Sequence, residues 1–564
     1  MTAPVAERGA ARQPGGGIGR AAAVIGAVTV MSGVVGLGRQ LVFAHTVGAS
    51  CVGTAYTTAN QVPNIIYDIV LGGALTSAVV PVLAGPAARS AGSPGPGAAE
   101  ARRIASALLT WAVILLVPAA VLVAAVSGPV TSLLIPAVRG CGHMATLAVS
   151  ARMLVAFAPQ IPLYGIAVVL YGILQSHRRF TAPALAPVLS SIVVAGACAG
   201  FWALGDGYQN RPGALPGGAE LVLSLGTTAG VAALALTAGV PVVRLRLGLR
   251  PALRFPDGVG ARVRGLAVVG VITLIAQDLS AIAAIVLANG RGGGGALVLY
   301  GYGWQVFFLL YAGLAVPIAT SAFPVLSARA SEGGNGGAAA ARTEFDETSA
   351  AATSAVTLMS WLGAAVLAGA CLPLSRVFAT HDAAQARQLA AALALFAPGL
   401  VGYGLTASLS RVMFAAGRSR ESAAALAGGW LLVIVADVAI VPFVPRSWVV
   451  PALGLGTTIG LSAAGITLAV TARRAFGRPV LRGAGRAALA GLAAAVAGAA
   501  AGAAVSAAIP VHGFGGNAVV TVLACAVAGL AFLAVALATD AGDLRAAGTR
   551  LAGWARMRIS RGQA

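Results

Sequence analysis

The chain has no lysine at all and few charged residues of any kind. Only 9% of its 564 residues are charged, whereas a soluble domain usually carries about 25%. So few charges cannot cover the surface of a soluble protein of this size, which excludes that class. The 58% of hydrophobic residues instead fits a chain whose outer wall faces lipid.

The residues that build catalytic and metal sites are scarce or poorly spaced. The five histidines are scattered, and no two of the five cysteines lie at CxxC spacing, which argues against a metal site or a disulfide framework. We interpret most cysteines as small apolar residues within helices. The chain has no GxxxxGK[ST] loop for ATP. We therefore expect no resident metal or cofactor, and we do not expect an enzyme.

Long apolar segments fill most of the chain, and about 20 apolar residues suffice for a helix to cross a bilayer. Fourteen segments meet this requirement, near 21–47, 56–84, 104–126, 144–174, 181–204, 220–243, 263–289, 296–327, 343–371, 385–416, 421–443, 449–472, 485–509 and 517–539. We therefore predict an all-α polytopic membrane protein with about 14 transmembrane helices.

All 37 basic residues are arginine, and the net charge is +21. Alternate loops and both termini hold 28 of these arginines, whereas the opposite loops hold six. The positive-inside rule then predicts that both termini are cytoplasmic in a multi-pass protein of the cell membrane. Because the arginines lie between apolar segments and not on one basic domain, we do not expect nucleic-acid binding.

Three short motifs occur twice, each time six predicted helices apart. FAP at 157–159 recurs at 396–398, TSA at 76–78 recurs at 320–322, and LGTT at 225–228 resembles LGTT at 455–458. Because six is even, both halves have the same orientation, which is a parallel repeat. We predict two six-helix lobes around a central cavity, with two extra helices at the C-terminal end.

The predicted boundaries follow from this repeat. They are a cytoplasmic arm 1–20, an N-lobe 21–243, a cytoplasmic linker 244–262, a C-lobe 263–475, the extra helices 485–539 and a cytoplasmic tail 540–564.

Several segments carry a resemblance to a known family. They are SGVVGLGR at 32–39, ANQVPNIIYD at 59–68, GGALTS at 72–77, RFTAPA at 179–184 and AVPIATSAFP at 315–324. Together they resemble the MurJ/MviN family of lipid II flippases, particularly its actinobacterial branch. The resemblance implies the multidrug/oligosaccharidyl-lipid/polysaccharide exporter fold, with a V-shaped cavity and a groove for the polyprenyl tail beside the last two helices.

The activity implied by the resemblance is movement of lipid II, the lipid-linked peptidoglycan precursor, to the outer leaflet by alternating access. A monovalent cation or the membrane potential would drive it. The alternatives are a flippase for another polyprenyl-pyrophosphate-linked glycan, a drug/cation antiporter of the same superfamily, and a membrane scaffold for cell-wall synthases. The expected partners are the polyprenyl-linked precursor, membrane lipids and such synthases.

The chain departs from its Gram-negative relatives in the cavity. Those relatives carry arginine where this chain has Gly33, Tyr67 and Gln305, and glutamate where it has Gly72. Only Arg39 keeps its charge, so either the pyrophosphate is held differently or the substrate differs.

Five polar residues are candidates for substrate contact: Arg39, Asn64, Arg152, Gln160 and Gln305. A guanidinium suits a pyrophosphate because it donates two parallel hydrogen bonds, but Arg39 could equally pair with Asp68. Arg152 has a second interpretation as a side chain that extends to the outer interface.

The second predicted helix contains the candidate gate, which is formed by Asp68, Gly72 and Gly73. Proline and glycine inside a membrane helix allow bending, and Pro63 precedes this stretch. The alternative is a kink that serves packing alone.

A candidate cation site consists of Asp278, Asp437, Thr457 and Thr458, because carboxylate and hydroxyl oxygens are suitable ligands for hard cations. Helix-to-helix hydrogen bonding is the alternative role of these residues.

Overall fold

The structure is a computed structural model. It describes residues 15–69, 96–177, 179, 181–245, 247–253, 259–332, 338–380 and 382–539. Within these ranges every regular element is a helix, so the all-α prediction is confirmed.

Eight helices form the first half, which we call the N-lobe. They are α1 (Gly15–Thr46), α2 (Cys51–Asp68), α3 (Pro96–Ala125), α4 (Ser127–Leu134), α5 (His143–Phe157), α6 (Gln160–Ser176), α7 (Thr181–Gly205) and α8 (Gly217–Arg244). Residues 247–253 then run along α3, where the Arg250 and Ala252 amides donate to the hydroxyls of Ser106 and Thr110.

The second half, the C-lobe, is followed by a further pair of helices. The C-lobe contains α9 (Val259–Leu287), α10 (Ala296–Leu310), α11 (Val316–Glu332), α12 (Ala338–Gly369), α13 (Cys371–Phe378), α14 (Ala383–Phe396), α15 (Gly399–Ala415), α16 (Ser419–Ile440) and α17 (Val449–Phe476). The terminal pair is α18 (Ala484–Ala508) and α19 (Gly513–Thr539). It packs on α12 through small residues, which let membrane helices approach closely.

Eleven helices of the described residues are long and apolar enough to cross a membrane, and twelve if the bent pair α14–α15 counts as one span. They coincide with the third to fourteenth predicted segments. α1 and α2, which correspond to the first two, are not among them, so the total of fourteen stays a prediction.

The two copies of the FAP motif break their helices in the same way. α5 ends at Phe157 and α14 ends at Phe396, and each break contains a proline, which cannot donate a helical hydrogen bond. Thr228 Oγ1 donates to the Ala156 carbonyl at 2.7 Å, and Thr458 Oγ1 donates to the Leu395 carbonyl at 2.6 Å. The sequence repeat therefore has a structural counterpart, in which the same bond braces the same break in each lobe.

Candidate functional site between the lobes

The lobes are joined at one end of the bundle by a fully buried asparagine. Asn289 lies in the π-helical turn Ala288–Gly292 that continues α9. Its side-chain amide donates to Thr58 Oγ1 at 3.0 Å and to the Leu134 carbonyl at 2.9 Å. Both acceptors belong to the N-lobe, so one C-lobe side chain holds α2 and α4 together.

The turn that follows Asn289 lies directly on the N-lobe. The Gly295 N–H donates to Thr54 Oγ1 at 2.8 Å, and the Gly294 N–H donates to the Arg139 carbonyl at 3.2 Å. Gly295 has a φ of 84°, and a Cβ there would collide with the Ala49 carbonyl. Only glycine permits this approach. We call the contact of residues 289–295 with Thr54, Thr58, Leu134 and Arg139 the seal.

A disulfide between Cys51 and Cys141 supports the N-lobe side of the seal. It connects the start of α2 to the loop before α5, and both sulfur atoms lie near Gly294. Spacing did not predict this bond, because the two cysteines are 90 residues apart and become neighbours only in the fold. The other three cysteines are free and lie in helices, as expected for small apolar residues.

Two further hydrogen bonds connect the lobes beside the seal. His45 Nε2 lies 3.2 Å from Thr380 Oγ1, and the Gln385 amide donates to the Ala49 carbonyl at 3.0 Å. Among the described residues, every hydrogen bond between the lobes lies at this end. The space between the lobes is therefore closed here, and among the described residues of the opposite end, where the arginine-rich loops lie, no such bond joins the lobes.

Arg39 lies among the N-lobe helices at half-buried depth. It belongs to α1, which packs along α7 of the same lobe. The buried Nε atom has no hydrogen-bond partner. No ion pair with Asp68 is formed in the described structure, so the guanidinium has donors available for an anion.

The polar residues of α2 form a group with α6. The Tyr164 hydroxyl donates to Asn64 Oδ1 at 3.2 Å, and the rings of Tyr164 and Tyr67 are 4.3 Å apart. Asp68 follows at the end of α2 and is half-buried. Gly72 and Gly73, the other two residues of the candidate gate, lie outside the described residues.

Two of the candidate cavity residues have partners inside the N-lobe. Arg152 forms a bidentate pair with Glu220, with distances of 2.9 and 2.7 Å. Gln160 is fully buried, and its amide donates to Thr228 Oγ1 at 3.2 Å. In this state both side chains hold helices of the N-lobe together. Glu220 was not among the predicted site residues; the one signal in the sequence is that it is an acidic residue at the start of the sixth predicted span.

From the C-lobe, Gln305 and Asp278 belong to the helices that face the N-lobe. Gln305 of α10 is half-buried and has no recorded hydrogen bond within the described structure. Asp278 of α9 is buried, and α9 contacts α2, whose last residue is Asp68. Gly33, on the facing helix α1, packs toward Leu309. The helices that carry these two carboxylates thus meet at the lobe interface.

The candidate cation ligands are only partly brought together. Asp437 is fully buried, and neither carboxylate oxygen has a hydrogen-bond partner. The carboxylate lies against Gly456, and the next residue, Thr457, donates to the Leu453 carbonyl at 2.9 Å. Thr458 instead donates to the Leu395 carbonyl. Asp278 lies more than two turns before the end of α9, whereas Asp437 is in the last turn of α16, so these two carboxylates are at different depths.

Two similar helix bundles, sealed against each other at one end, define the fold of a membrane transporter. The chain belongs to the family described as lipid II flippase MurJ, whose model matches residues 43–524.

Two curated relatives match parts of the chain. A probable lipid II flippase MurJ from Synechocystis sp. is 29% identical over 230 residues, which are 40% of each chain. The lipid II flippase MurJ of Burkholderia cenocepacia is 29% identical over 174 residues, 31% of this chain and 32% of its own length. Both alignments thus span less than half of the curated relative.

The solved structures agree with the fold over a longer stretch. A lipid II flippase MurJ in an inward closed conformation matches with a TM-score of 0.67 at 17% identity, covering 91% of this chain and 98% of its own. An inward-facing multidrug resistance MATE family transporter of the MOP superfamily matches with a TM-score of 0.61 at 15% identity, covering 79% of this chain and 94% of its own.

Proposed function

We propose that this protein moves lipid II from the cytoplasmic to the outer leaflet by alternating access, and that it is not an enzyme. The family assignment gives the substrate class. The observation that carries the mechanism is that all hydrogen bonds between the lobes in the described structure lie at one end. If these hydrogen bonds broke and contacts formed at the other end, the polar groups between the lobes would become accessible from the opposite side of the membrane.

The orientation we propose places the seal outside the cell and both termini in the cytoplasm. The arginine-rich loops lie at the other end of the helices, as the positive-inside rule requires of a cytoplasmic face. The disulfide between Cys51 and Cys141 lies beside the seal, and disulfides persist in oxidising compartments outside the cytoplasm. Charge and redox chemistry therefore favour the same orientation by independent routes.

In this proposal Arg39 receives the pyrophosphate. Its guanidinium has an unpartnered buried Nε, and a pyrophosphate oxygen would satisfy it through a charge-assisted hydrogen bond. Asn64, Gln305 and the hydroxyl of Tyr67 are half-buried and offer neutral donors to the sugar and phosphate oxygens. Asp68 and Asp278 repel an anion, so they would confine the headgroup and keep it toward Arg39.

Coupling to a monovalent cation is the second part of the proposal. Among the described residues of the C-lobe, Asp437 is the carboxylate whose two oxygens are both buried without a hydrogen-bond partner, and it lies against Gly456, the residue before Thr457. A monovalent cation or a proton would neutralise this carboxylate at lower cost than leaving it charged and buried. Cell-wall synthases are proposed partners that would consume the delivered precursor.

The deciding test is rescue of a strain depleted of its lipid II flippase. We expect the natural chain to restore growth, Arg39→Ala to fail at equal membrane abundance, and Arg39→Lys to restore part of it, because the charge remains and the bidentate geometry is lost. Vesicles containing lipid II or another polyprenyl-pyrophosphate glycan separate the two flippase functions. Transport of the second glycan alone, or of a cationic drug alone, would contradict the lipid II assignment.

A further inference from the structure

A cavity lies between the C-lobe and the terminal pair, away from the space between the lobes. Its volume is about 670 Å³, which is within the range of roughly 300–1,000 Å³ typical of ligand pockets. Four helices each contribute two residues spaced four apart: Thr353 and Thr357, Val401 and Leu405, Ala469 and Arg473, and Ala484 and Ala488. Residues at this spacing lie on one face of a helix, so α12, α15, α17 and α18 each turn one face toward the cavity.

The inner part of the cavity is apolar. Val401, Leu405 and Ala488 present hydrocarbon. The two threonines also present their methyl groups, because their hydroxyls are already bonded: Thr353 Oγ1 lies 3.1 Å from Ser408 Oγ, and Thr357 donates to the Thr353 carbonyl. A hydrocarbon chain fits these walls, whereas a sugar or a peptide would leave its polar groups unbonded.

The mouth of the cavity is cationic. Arg473 at the end of α17 and Arg478 in the following turn are exposed and line the opening. Two carboxylates of the surrounding helices are paired with other arginines, Asp346 with Arg342 and Glu421 with Arg418. Neither Arg473 nor Arg478 has an ion pair in the described structure, so both guanidiniums are available to an anion from outside the chain.

We propose that this cavity binds an anionic phospholipid of the bilayer, with its phosphate between Arg473 and Arg478 and one acyl chain between the four helices. The opening lies at the arginine-rich end, where α17 ends and α18 begins, which is the depth of lipid headgroups. Basic pockets between membrane helices are suited to phospholipid headgroups. A lipid held here fills the junction between the terminal pair and the C-lobe, so it stabilises that junction and leaves the space between the lobes free.

The test is binding of phosphatidylglycerol to the full-length, delipidated protein, measured by native mass spectrometry with phosphatidylcholine as the neutral comparison. We expect one phosphatidylglycerol to bind in preference to phosphatidylcholine. Arg473→Gln with Arg478→Gln should weaken that binding roughly 25-fold, because each basic residue near an anionic surface contributes about a fivefold factor. Arg474→Gln with Arg482→Gln is the matched control, since it removes the same charge from the adjacent positions that do not line the cavity.

A second variant tests the acyl-chain part of the site. Ala488→Phe places a ring in the apolar region and leaves both arginines intact, so it should also weaken phosphatidylglycerol binding by at least tenfold. Equal losses in the two arginine pairs would mean a general surface attraction and would overturn the proposal. So would equal binding of the two phospholipids, unchanged binding in Ala488→Phe, or complete displacement by a polyprenyl phosphate at equal concentration. The result is independent of whether the protein rescues a flippase-depleted strain.

Discussion

Each lobe contacts the other through a residue at the end of its first helix, but the two contacts differ in strength. In the C-lobe, Asn289 is fully buried and donates to both Thr58 and Leu134. In the N-lobe, His45 is exposed and its ring makes one contact across the interface, with Thr380. The C-lobe therefore supplies most of the bonding that keeps this end closed.

The partners of these two contacts also lie at equivalent places in the two lobes. Leu134 ends α4, and Thr380 lies just beyond the end of α13, and both short helices have eight residues and follow the third long helix of their lobe. A repeated backbone thus carries different side chains at the same point. The repeated backbone therefore determines the positions at which the lobes contact each other, and the side chain at each position determines how strong the contact is.

The helix breaks inside the two lobes also have the same backbone arrangement but different side chains. After the proline of the FAP motif, the N-lobe has Gln160 and the C-lobe has Gly399. Gln160 bonds to Thr228, whereas Gly399 lets Thr458 pack against the backbone itself.

Exchanging these two residues should produce the largest effect. A Cβ on Gly399 would lie 2.7 Å from Thr458 Oγ1 and 3.1 Å from its Cα, so Gly399→Gln should destabilise the protein by about 3 kcal/mol through overpacking. Gln160→Gly removes one hydrogen bond and should cost about 1–2 kcal/mol. Thermal unfolding of the purified variants checks both values, and a Gly399→Gln variant as stable as the natural chain would show that the lobes tolerate the same residue.

The second largest effect should come from loss of the Asn289 side chain, which should favour opening of the seal. Asn289→Ala removes two hydrogen bonds, each contributing about 1 kcal/mol, which shifts the equilibrium toward opening by roughly 10- to 30-fold. His45→Ala, the matched variant of the other lobe, should shift it by only about threefold. Spin labels at Leu133 and Phe443, which are 72% and 87% exposed at this end, would report the opening as a longer distance. Equal distance distributions in the two variants would show that Asn289 and His45 contribute equally to closure of this end.

Arg152 and Glu220 test a feature that belongs to the N-lobe alone, since the C-lobe has Ala391 and Val450 at the corresponding positions. Arg152→Ala leaves a buried carboxylate unpaired, and we expect a loss of about 2 kcal/mol, because Arg152 is itself 59% exposed. Glu220→Gln added to it should restore most of that stability. If the double variant transports at the natural rate, the ion pair has a structural role only. If it is fully stable but does not transport, Arg152 contacts the substrate.

The smallest effects should be equal in the two lobes. Thr228→Val and Thr458→Val each remove a hydroxyl that braces a helix break, at 2.7 and 2.6 Å from its acceptor. Each should cost about 1 kcal/mol in thermal stability. A clear difference between the two would mean that the repeat does not extend to the energetics of the breaks.

Much of the fold could be predicted from the sequence, because the thickness of the bilayer sets the number of consecutive apolar residues that a membrane-spanning helix needs. The FAP and LGTT motifs also predicted the repeat, because each recurs six predicted helices later. The structure adds the reason for their pairing, which is that a threonine of LGTT donates to a carbonyl at the proline break. The partners of Arg152 and Gln160 could not be predicted in this way, because they come from a helix more than sixty residues later. The same holds for Asn289, whose two acceptors lie in different N-lobe helices.

The disulfide between Cys51 and Cys141 sets an order for biogenesis. The chain between the two cysteines includes the second and third predicted spans, so the bond can close only after both spans have been threaded into the bilayer and both loops have reached the same side. Until then Cys51 is an unprotected thiol at the start of α2. Synthesis of the protein in a reducing extract would omit this step, and the first half of the chain would mature without the covalent link that a living cell installs.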